Sequence, residues 1–292
     1  MKIAITGANG FIGSYLVNRL KRQGKIEFYR FNKKRHSLFD IRSLKSFVED
    51  KDVIIHLAGV KSVLDIAKIY EVNLLGTANL LKAISLFGKK KVHFLFPSSF
   101  LVYKENKSKR LLGEKESQIS PKTCYGSSKL LAEKIIEFYS INNQIKATIL
   151  RIANVYGPVL KGKSSSVVNL FIEGIANGTP ITVRGNEKTV RDLVYIDDVF
   201  DAFLKAIDNQ KRKFLLINIC TGRATKMGDL IKLIEKRLKK KAIIKYNKKY
   251  SEKIYWIGNN LKASREINFR PKIGIEDGIK KTVEWFEKRK AI

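Results

Sequence analysis

Residues 6–13 read Thr6-Gly7-Ala8-Asn9-Gly10-Phe11-Ile12-Gly13 and stand between a β-branched run, Lys2–Thr6, and a helical pattern, Ile12–Arg22. Each glycine has its own physical task in such a strand, turn and helix. Gly7 permits the tight turn, Gly10 lets the backbone approach a pyrophosphate, and Gly13 lets helix and strand pack closely. The helix then turns its partial positive end toward the phosphates. A glycine triplet placed at the end of the first strand predicts a dinucleotide-binding turn, with Gly7, Asn9, Gly10, Phe11, Ile12 and Gly13 as its contacts.

Outward from this turn, short β-branched runs alternate with longer amphipathic stretches. Strands are predicted at Lys2–Thr6, Ile26–Phe31, Val53–His56, Val92–Pro97 and Ala147–Ile152, with helices near Ile12–Arg22, Ile41–Glu49, Tyr70–Phe87 and Thr123–Asn142. This alternation implies an α/β fold: a doubly wound parallel sheet of Rossmann type, covered on both faces, with ligands at the carboxyl ends of its strands. The second half is less regular. Residues 162–166 read as loop, Val167–Ala176 as helix, Asn177-Gly-Thr-Pro180 as turn and Ile181–Arg184 as strand. A helix near Asp197–Asp208 and a strand at Phe214–Ile219 extend the sheet, and helices near Lys226–Lys239 and Ile275–Lys288 flank an irregular lysine-rich stretch. The expected organisation is a nucleotide-binding domain over residues 1–156, re-entered by about 196–222. A smaller mixed α/β substrate-binding lobe takes residues 157–195 and 223–292.

Composition sets the outer limits. With 44% hydrophobic and 10% aromatic residues the chain carries enough apolar surface for an ordinary core, which excludes a disordered protein. Two cysteines, Cys124 and Cys220, and three scattered histidines, His36, His56 and His93, offer neither a disulfide framework nor metal-ligand spacing. No apolar run approaches the roughly 18 residues of a membrane helix. The chain opens directly on a strand, so no signal peptide is expected and the cytoplasm is the expected compartment. The charge stands out: 58 Lys plus Arg against 27 Asp plus Glu, a formal +31. The lysines are spread along the chain, with only short runs such as Lys239-Lys-Lys241. They read either as a solvated surface or as a polyanion-binding one.

A dinucleotide fold ordinarily ends its second strand on an acid that holds the adenosine ribose. Here the stretch is basic, Phe28-Tyr-Arg-Phe-Asn-Lys-Lys-Arg35. Arg30, with Asn32 beside it, and Lys33, Lys34 or Arg35 can accommodate a 2′-phosphate, so NAD and NADP both stay open as the cofactor. Further along, Tyr125-Gly-Ser-Ser-Lys129 puts a phenol and an ammonium one turn apart on one helix face. A tyrosine with its ordinary pKa near ~10 is no base at neutral pH. A neighbouring ammonium and a cationic nicotinamide are expected to pull that value down. The strand Val92–Pro97 delivers Ser98-Ser99 to the same sheet edge, where a hydroxyl can hydrogen-bond a substrate oxygen.

Ser99, Tyr125 and Lys129, in that order after a glycine-rich opening, resemble the catalytic set of the short-chain dehydrogenases/reductases. Over nearly its whole length the chain resembles their extended branch of sugar-nucleotide enzymes, the NAD-dependent epimerases/dehydratases. The resemblance implies further residues. His56-Leu-Ala-Gly59 implies Leu57, Ala58 and Gly59 beside the cofactor, Asp40-Ile41-Arg42 implies Asp40 and Ile41 near the adenine, and Asn73-Leu-Leu-Gly-Thr77 implies a structural Asn73. Arg151-Ile-Ala-Asn-Val-Tyr-Gly-Pro158 implies Asn154 on the sugar nucleotide, and Arg191-Asp-Leu-Val-Tyr-Ile-Asp-Asp198 implies Arg191 on its diphosphate. A guanidinium fork suits phosphate oxygens.

The dehydratases of this branch follow their catalytic hydroxyl residue with Asp-Glu, whereas Ser99 is followed by Phe100-Leu101. No cysteine stands near Phe100 to match a GDP-fucose-synthase-like enzyme. Epimerisation at C4 and reduction of a 4-keto sugar remain. His56-Leu-Ala-Gly-Val-Lys-Ser-Val63 looks like the corresponding segment of UDP-glucose 4-epimerases, which carry a lysine where Lys61 stands. Lys61 therefore speaks for the epimerase and the missing acid after the second strand against it. The expected partners are a nucleotide-diphosphate sugar and a second copy of the chain. A reading of another class stays beside these: a non-enzymatic RNA-binding protein on a dehydrogenase fold.

Overall fold

Ile3, Ala4 and Ile5 are all fully buried, as they must be in a strand covered on both faces. The computed structural model describes residues 1–24, 26–61, 65–142, 145–161, 166–209, 212–247 and 255–290. The segment 162–165 read as loop, and Ser62-Val63 of the epimerase-like motif, lie outside them.

In chain order the first half runs β1 (Lys2–Thr6), α1 (Phe11–Gln23), β2 (Glu27–Arg30), α2 (Lys45–Val48), β3 (Val53–His56), α3 (Ile66–Tyr70), a π-helical segment (Glu71–Leu75), α4 (Gly76–Phe87), β4 (His93–Ser99), a 3₁₀ turn (Phe100–Val102), α5 (Cys124–Asn142) and β5 (Lys146–Ile152). Then follow β6 (Asn154–Tyr156), α6 (Val167–Asn177), β7 (Ile181–Arg184), β8 (Val190–Arg191), β9 (Leu193–Tyr195), α7 (Ile196–Asp208) and β10 (Phe214–Ile219). The chain ends with β11 (Thr225–Lys226), α8 (Met227–Leu238), β12 (Ile244–Asn247), β13 (Tyr255–Trp256), α9 (Leu261–Ile267) and α10 (Ile275–Lys290). It divides into two compact units, one of residues 1–104, 118–151 and 203–217, the other of residues 105–117, 152–202 and 218–292.

The first unit holds a six-stranded sheet in the order β10-β5-β4-β3-β1-β2. Ile3 pairs in parallel with Phe28 on one side and Val53 on the other, and Val53 with His93. The winding leaves β1 toward β2 and returns to β3, so its direction reverses between β1 and β3. The carboxyl ends of these two strands border the crevice where such sheets bind ligands. Under one sheet face Ile54, Phe94 and Phe96 pack with Phe47, Leu80, Ile84, Ala132 and Ile136.

Two helices differ from expectation. Of the stretch Ile41–Glu49 only Lys45–Val48 is α-helical. Asp40 Oδ1 accepts the Arg42 N–H at 3.0 Å, and Ser43 Oγ bonds the Asp40 carbonyl at 2.8 Å. Short polar side chains thus take the backbone groups that a first helical turn would use. The predicted helix Tyr70–Phe87 starts earlier, where Asp65 caps Ile66–Tyr70 through the Lys68 N–H at 2.8 Å, and it carries the π-helical turn.

In the second unit β6 pairs with β9, β7 with β12, and β8 lies between β11 and β13. The predicted helices and the strand Ile181–Arg184 form, while the other strands, of two to four residues, and α9 went unread. Strands that short span too few residues to show a period.

Candidate active site

The turn after β1 is a cradle that side chains would fill. Gly7 has φ +65°, and a Cβ there would stand 2.5 Å from the Leu57 carbonyl carbon and 2.6 Å from the Ala58 nitrogen. At Gly13 a Cβ would stand 2.2 Å from the Gly7 oxygen. The Gly10 N–H closes the turn on the Gly7 carbonyl at 3.0 Å, and α1 begins at Phe11. Beside it a cleft of about 1300 Å³ is lined by Gly7, Asn9, Gly10, Arg30, Asn32, Leu57, Ala58 and Gly59. Phe11, Ile12 and Gly13 form the first turn of α1 rather than the cleft wall. Backbone donors, a helix N-terminus and room for an extended ligand fit a dinucleotide.

Arg30, Lys33 and Arg35 line the same cleft, and among its described lining residues there is no carboxylate. Asn32 is spent on its own turn, its Oδ1 accepting the Lys34 N–H at 2.9 Å. Asp40 and Ile41 do not line the cleft; the Asp40 carboxylate is held by the Arg42 N–H. Instead His36, Leu38 and Phe39 line it, which the sequence reading missed. Phe31 and Phe47 each hold the His36 ring at 5.4 Å between centroids, a cluster that only contacts across the fold create.

Behind the cleft a polar chain joins β1, β3 and the π-helical segment. Thr77 Oγ1 donates its hydrogen to the Asn73 carbonyl at 2.6 Å, so His56 Nε2 donates to Thr77 Oγ1 at 3.0 Å. The neutral ring then accepts at Nδ1 from the Thr6 hydroxyl at 2.7 Å, and Thr6 Oγ1 also accepts the Ala58 N–H at 3.0 Å. Burial, aided by the nearby Lys129 ammonium, lowers His56 to about 3, so it is a neutral spacer. The Asn73 side chain accepts the Val60 N–H at 2.7 Å and donates to the Val60 carbonyl at 2.9 Å and to Ser128 Oγ at 3.0 Å. It clamps the loop after β3 to α5, a structural part for the residue in this unit.

β4 ends on two serines with different fates. Ser98 is buried and donates to the Glu133 carboxylate. Ser99 is half-buried, accepts the Leu101 N–H at 3.2 Å, and is the hydroxyl that stays near the surface. A Cβ at Gly126 would stand 2.3 Å from the Leu101 oxygen. Only glycine lets the first turn of α5 lie against the turn after Ser99, a requirement legible in Tyr125-Gly126 but not read. Lys129 Nζ is buried, donates to the Pro97 carbonyl at 2.9 Å, and lies 4.2 Å from the Phe96 ring centroid and 5.9 Å from that of Tyr125. Lys61 Nζ stands 5.6 Å from the same Tyr125 ring.

The expected lowering of the Tyr125 pKa is absent from the protein by itself. Burial pushes the phenol up to about 12. Burial also lowers Lys129 to about 8, against the opposing pull of Glu133. Desolvation outweighs the lysine's attraction at this separation.

Asn154 and Arg191 belong to the second unit. The Asn154 side-chain amide donates to the Asp192 carbonyl at 3.3 Å. Asp192, unread in the sequence, is buried and accepts the Thr221 N–H at 2.8 Å, the Thr221 hydroxyl at 2.7 Å and the Gly222 N–H at 2.8 Å. Arg191 is brought down to about 10 by burial and then by Arg184, with Glu105 opposing, and stays charged at neutral pH. The like charge of Arg184, near enough to lower Arg191, makes this a place that favours an anion.

Among the described residues no helix is long and apolar enough to cross a membrane. Comparison with known proteins agrees with this geometry. The sequence model of the NAD dependent epimerase/dehydratase family matches residues 3–220. The UDP-glucose 4-epimerase of Thermotoga maritima, solved with UDP-glucose, is 30% identical with 99% of both chains covered and a TM-score of 0.86. RMD from Pseudomonas aeruginosa, solved with NADPH, is 26% identical with 99% of both chains covered and a TM-score of 0.87. The UDP-glucuronate 4-epimerase of Thermodesulfobacterium geofontis is 28% identical over 278 residues, 92% of this chain and 82% of its own. With a glycine cradle at the reversal of the sheet and a family match over most of its length, the chain belongs to the NAD dependent epimerase/dehydratase family and is an NAD(P)-dependent enzyme.

Proposed function

We propose that the protein is a sugar-nucleotide 4-epimerase acting on UDP-glucose or UDP-N-acetylglucosamine. The observation that carries this reading is Lys61 at 5.6 Å from the Tyr125 ring, in a segment that looks like the epimerases'. The similarity to the Thermotoga enzyme supports it. The first unit is read as the cofactor lobe and the second as the substrate lobe. Gly7, Gly10 and the N-terminus of α1 would hold the dinucleotide, and its nicotinamide, when bound, would supply the hydride acceptor and donor that exchange at C4 of the sugar requires. Tyr125 takes the 4-hydroxyl proton and gives it back, Ser99 donates a hydrogen bond to the same oxygen, and Lys129 holds a positive charge beside the phenol. Arg191, with Arg184, is the proposed partner of the diphosphate. A second copy of the chain is the partner proposed for Leu131, Phe138 and Ile141, exposed apolar residues on one face of α5.

The direct test is purified protein with UDP-galactose and a trace of NAD. UDP-glucose forming without net NADH is the expected result. Consumption of NADPH with a 4-keto sugar, and no epimerisation, would move the assignment to a reductase. Neither activity, with salt-sensitive RNA binding, would bring forward the non-enzymatic reading.

The reductase stays as the second reading because Arg30, Lys33 and Arg35 line the cofactor cleft. If they hold a 2′-phosphate, NADP binds more tightly than NAD, and Arg30→Ala narrows the gap about tenfold, the worth of one exposed charge-assisted hydrogen bond. Calorimetric titration of both cofactors decides this. Equal affinities in both proteins would make these residues surface charge.

A further inference from the structure

Glu133 and Arg151 form a buried ion pair, 3% and 5% exposed, one turn beyond Lys129 on the α5 face that also carries Tyr125. Arg151 Nε donates to Glu133 Oε1 at 3.0 Å, and its Nη2 donates to Oε2 at 2.6 Å. The same carboxylate accepts the Ser98 hydroxyl, and the Arg151 guanidinium lies 4.8 Å from the Tyr103 ring. A buried pair of this kind is seldom justified by stability alone, since desolvating both charges offsets their attraction.

We propose that Glu133 is a positioning residue: anchored to β5 through Arg151 and to β4 through Ser98, it is the counter-charge that keeps the buried Lys129 an ammonium. The proposal rests on the reading of Tyr125 and Lys129 as the reacting face. Lys129 donates its hydrogen bond to the Pro97 carbonyl, which carries no full charge. Glu133 stands one turn further along the same buried stripe, Gly126, Lys129, Glu133 and Ile136, and its charge favours the protonated lysine. Among the described residues, the other titratable groups around Lys129 supply no anion. His56 on β3 is neutral, Tyr125 is a neutral phenol, Lys61 is a cation on the loop after β3, and Arg151 on β5 is the second cation. Lys68 and Glu71, on the helix before Asn73, pair with each other at 2.7 Å on the surface. Ser98 adds a geometric link, since the carboxylate that sets the lysine's charge also holds the residue next to Ser99.

The test is the titration of Lys129 in the full-length protein, followed by NMR of carbon-13-labelled lysine side chains and assigned by its loss in Lys129→Met. Burial, with Glu133 opposing, brings the wild-type lysine down to about 8, which is the expected midpoint. Glu133→Gln should move this to lower pH by about 1–3, while Arg151→Gln, which leaves the carboxylate alone with Lys129, should move it to higher pH. Glu133→Asp, which keeps the charge, should restore it. The alkaline limb of the pH profile of kcat/KM should move in the same directions. If the single variants do not fold, Glu133→Met with Arg151→Met replaces the pair by apolar groups, and Lys129 should again titrate lower. An unchanged titration in Glu133→Gln or in the double variant would overturn the proposal. Because it needs no substrate, the result stands apart from the reading of the reaction, which turnover of Tyr125→Phe decides.

Discussion

Tyr125→Phe is expected to keep the fold and the affinity for cofactor and to lose turnover by about 10²–10⁴-fold, the usual effect of removing a general acid/base. The ring is what the surroundings hold: Lys61 and Lys129 lie 5.6 and 5.9 Å from its centroid, and phenylalanine fills the same volume. Only the hydroxyl goes. In the protein by itself that hydroxyl is neutral, pushed by burial up to about 12. Its use as a base depends on cationic charge arriving with the bound nicotinamide and persisting on Lys129. The loss should fall on kcat, with KM little changed, because the proton moves in the reacting step. Steady-state kinetics beside a cofactor titration measure both. A phenylalanine variant with near-normal turnover would sink the mechanism.

Gly13→Ala should weaken cofactor binding about 10–100-fold, the loss of one hydrogen bond to a charged phosphate, and cost about 1–3 kcal/mol of stability from overpacking. The added methyl would stand 2.2 Å from the Gly7 oxygen and 2.9 Å from the Ala8 Cα, both backbone atoms. No side-chain rotation relieves such a contact, so α1 or the phosphate turn has to shift. Gly7 cannot yield, being pressed against Leu57 and Ala58 at a positive φ. Gly24→Ala is the control. Its left-handed φ, +66°, is like that of Gly7 and unlike the helical Gly13, and a Cβ there meets nothing within 4 Å. It should cost about 1–2 kcal/mol of backbone strain and leave cofactor affinity unchanged. Thermal melts and cofactor titrations on both variants separate the two effects. Wild-type affinity in Gly13→Ala would show that the phosphates bind elsewhere.

The sequence by itself determined the parts of this protein whose physics is local. The turn Gly7–Gly13 is decided by sterics among neighbouring residues, and Tyr125 and Lys129 share a helix face through the pitch of the helix. The parallel sheet followed from runs buried on both faces. Tertiary structure alone decided which face of α5 is buried. Apolar and charged residues of this helix share both faces: Phe138 and Ile141 are 59% and 62% exposed, while Lys129 and Glu133, 4% and 3% exposed, lie buried beside Ala132 and Ile136. The pattern of apolar residues along that helix does not by itself say which face is buried. The charges can be buried because Arg151 arrives from β5 and Ser98 from β4, 18 and 35 residues away along the chain. The same holds for the Tyr125 acidity and for Asp192, whose partners Thr221 and Gly222 come from 29 and 30 residues beyond. Backbone sterics and helical pitch act over a few residues and leave a mark in order and spacing. Desolvation depends on every atom the folded chain brings near a charge, wherever in the sequence that atom began.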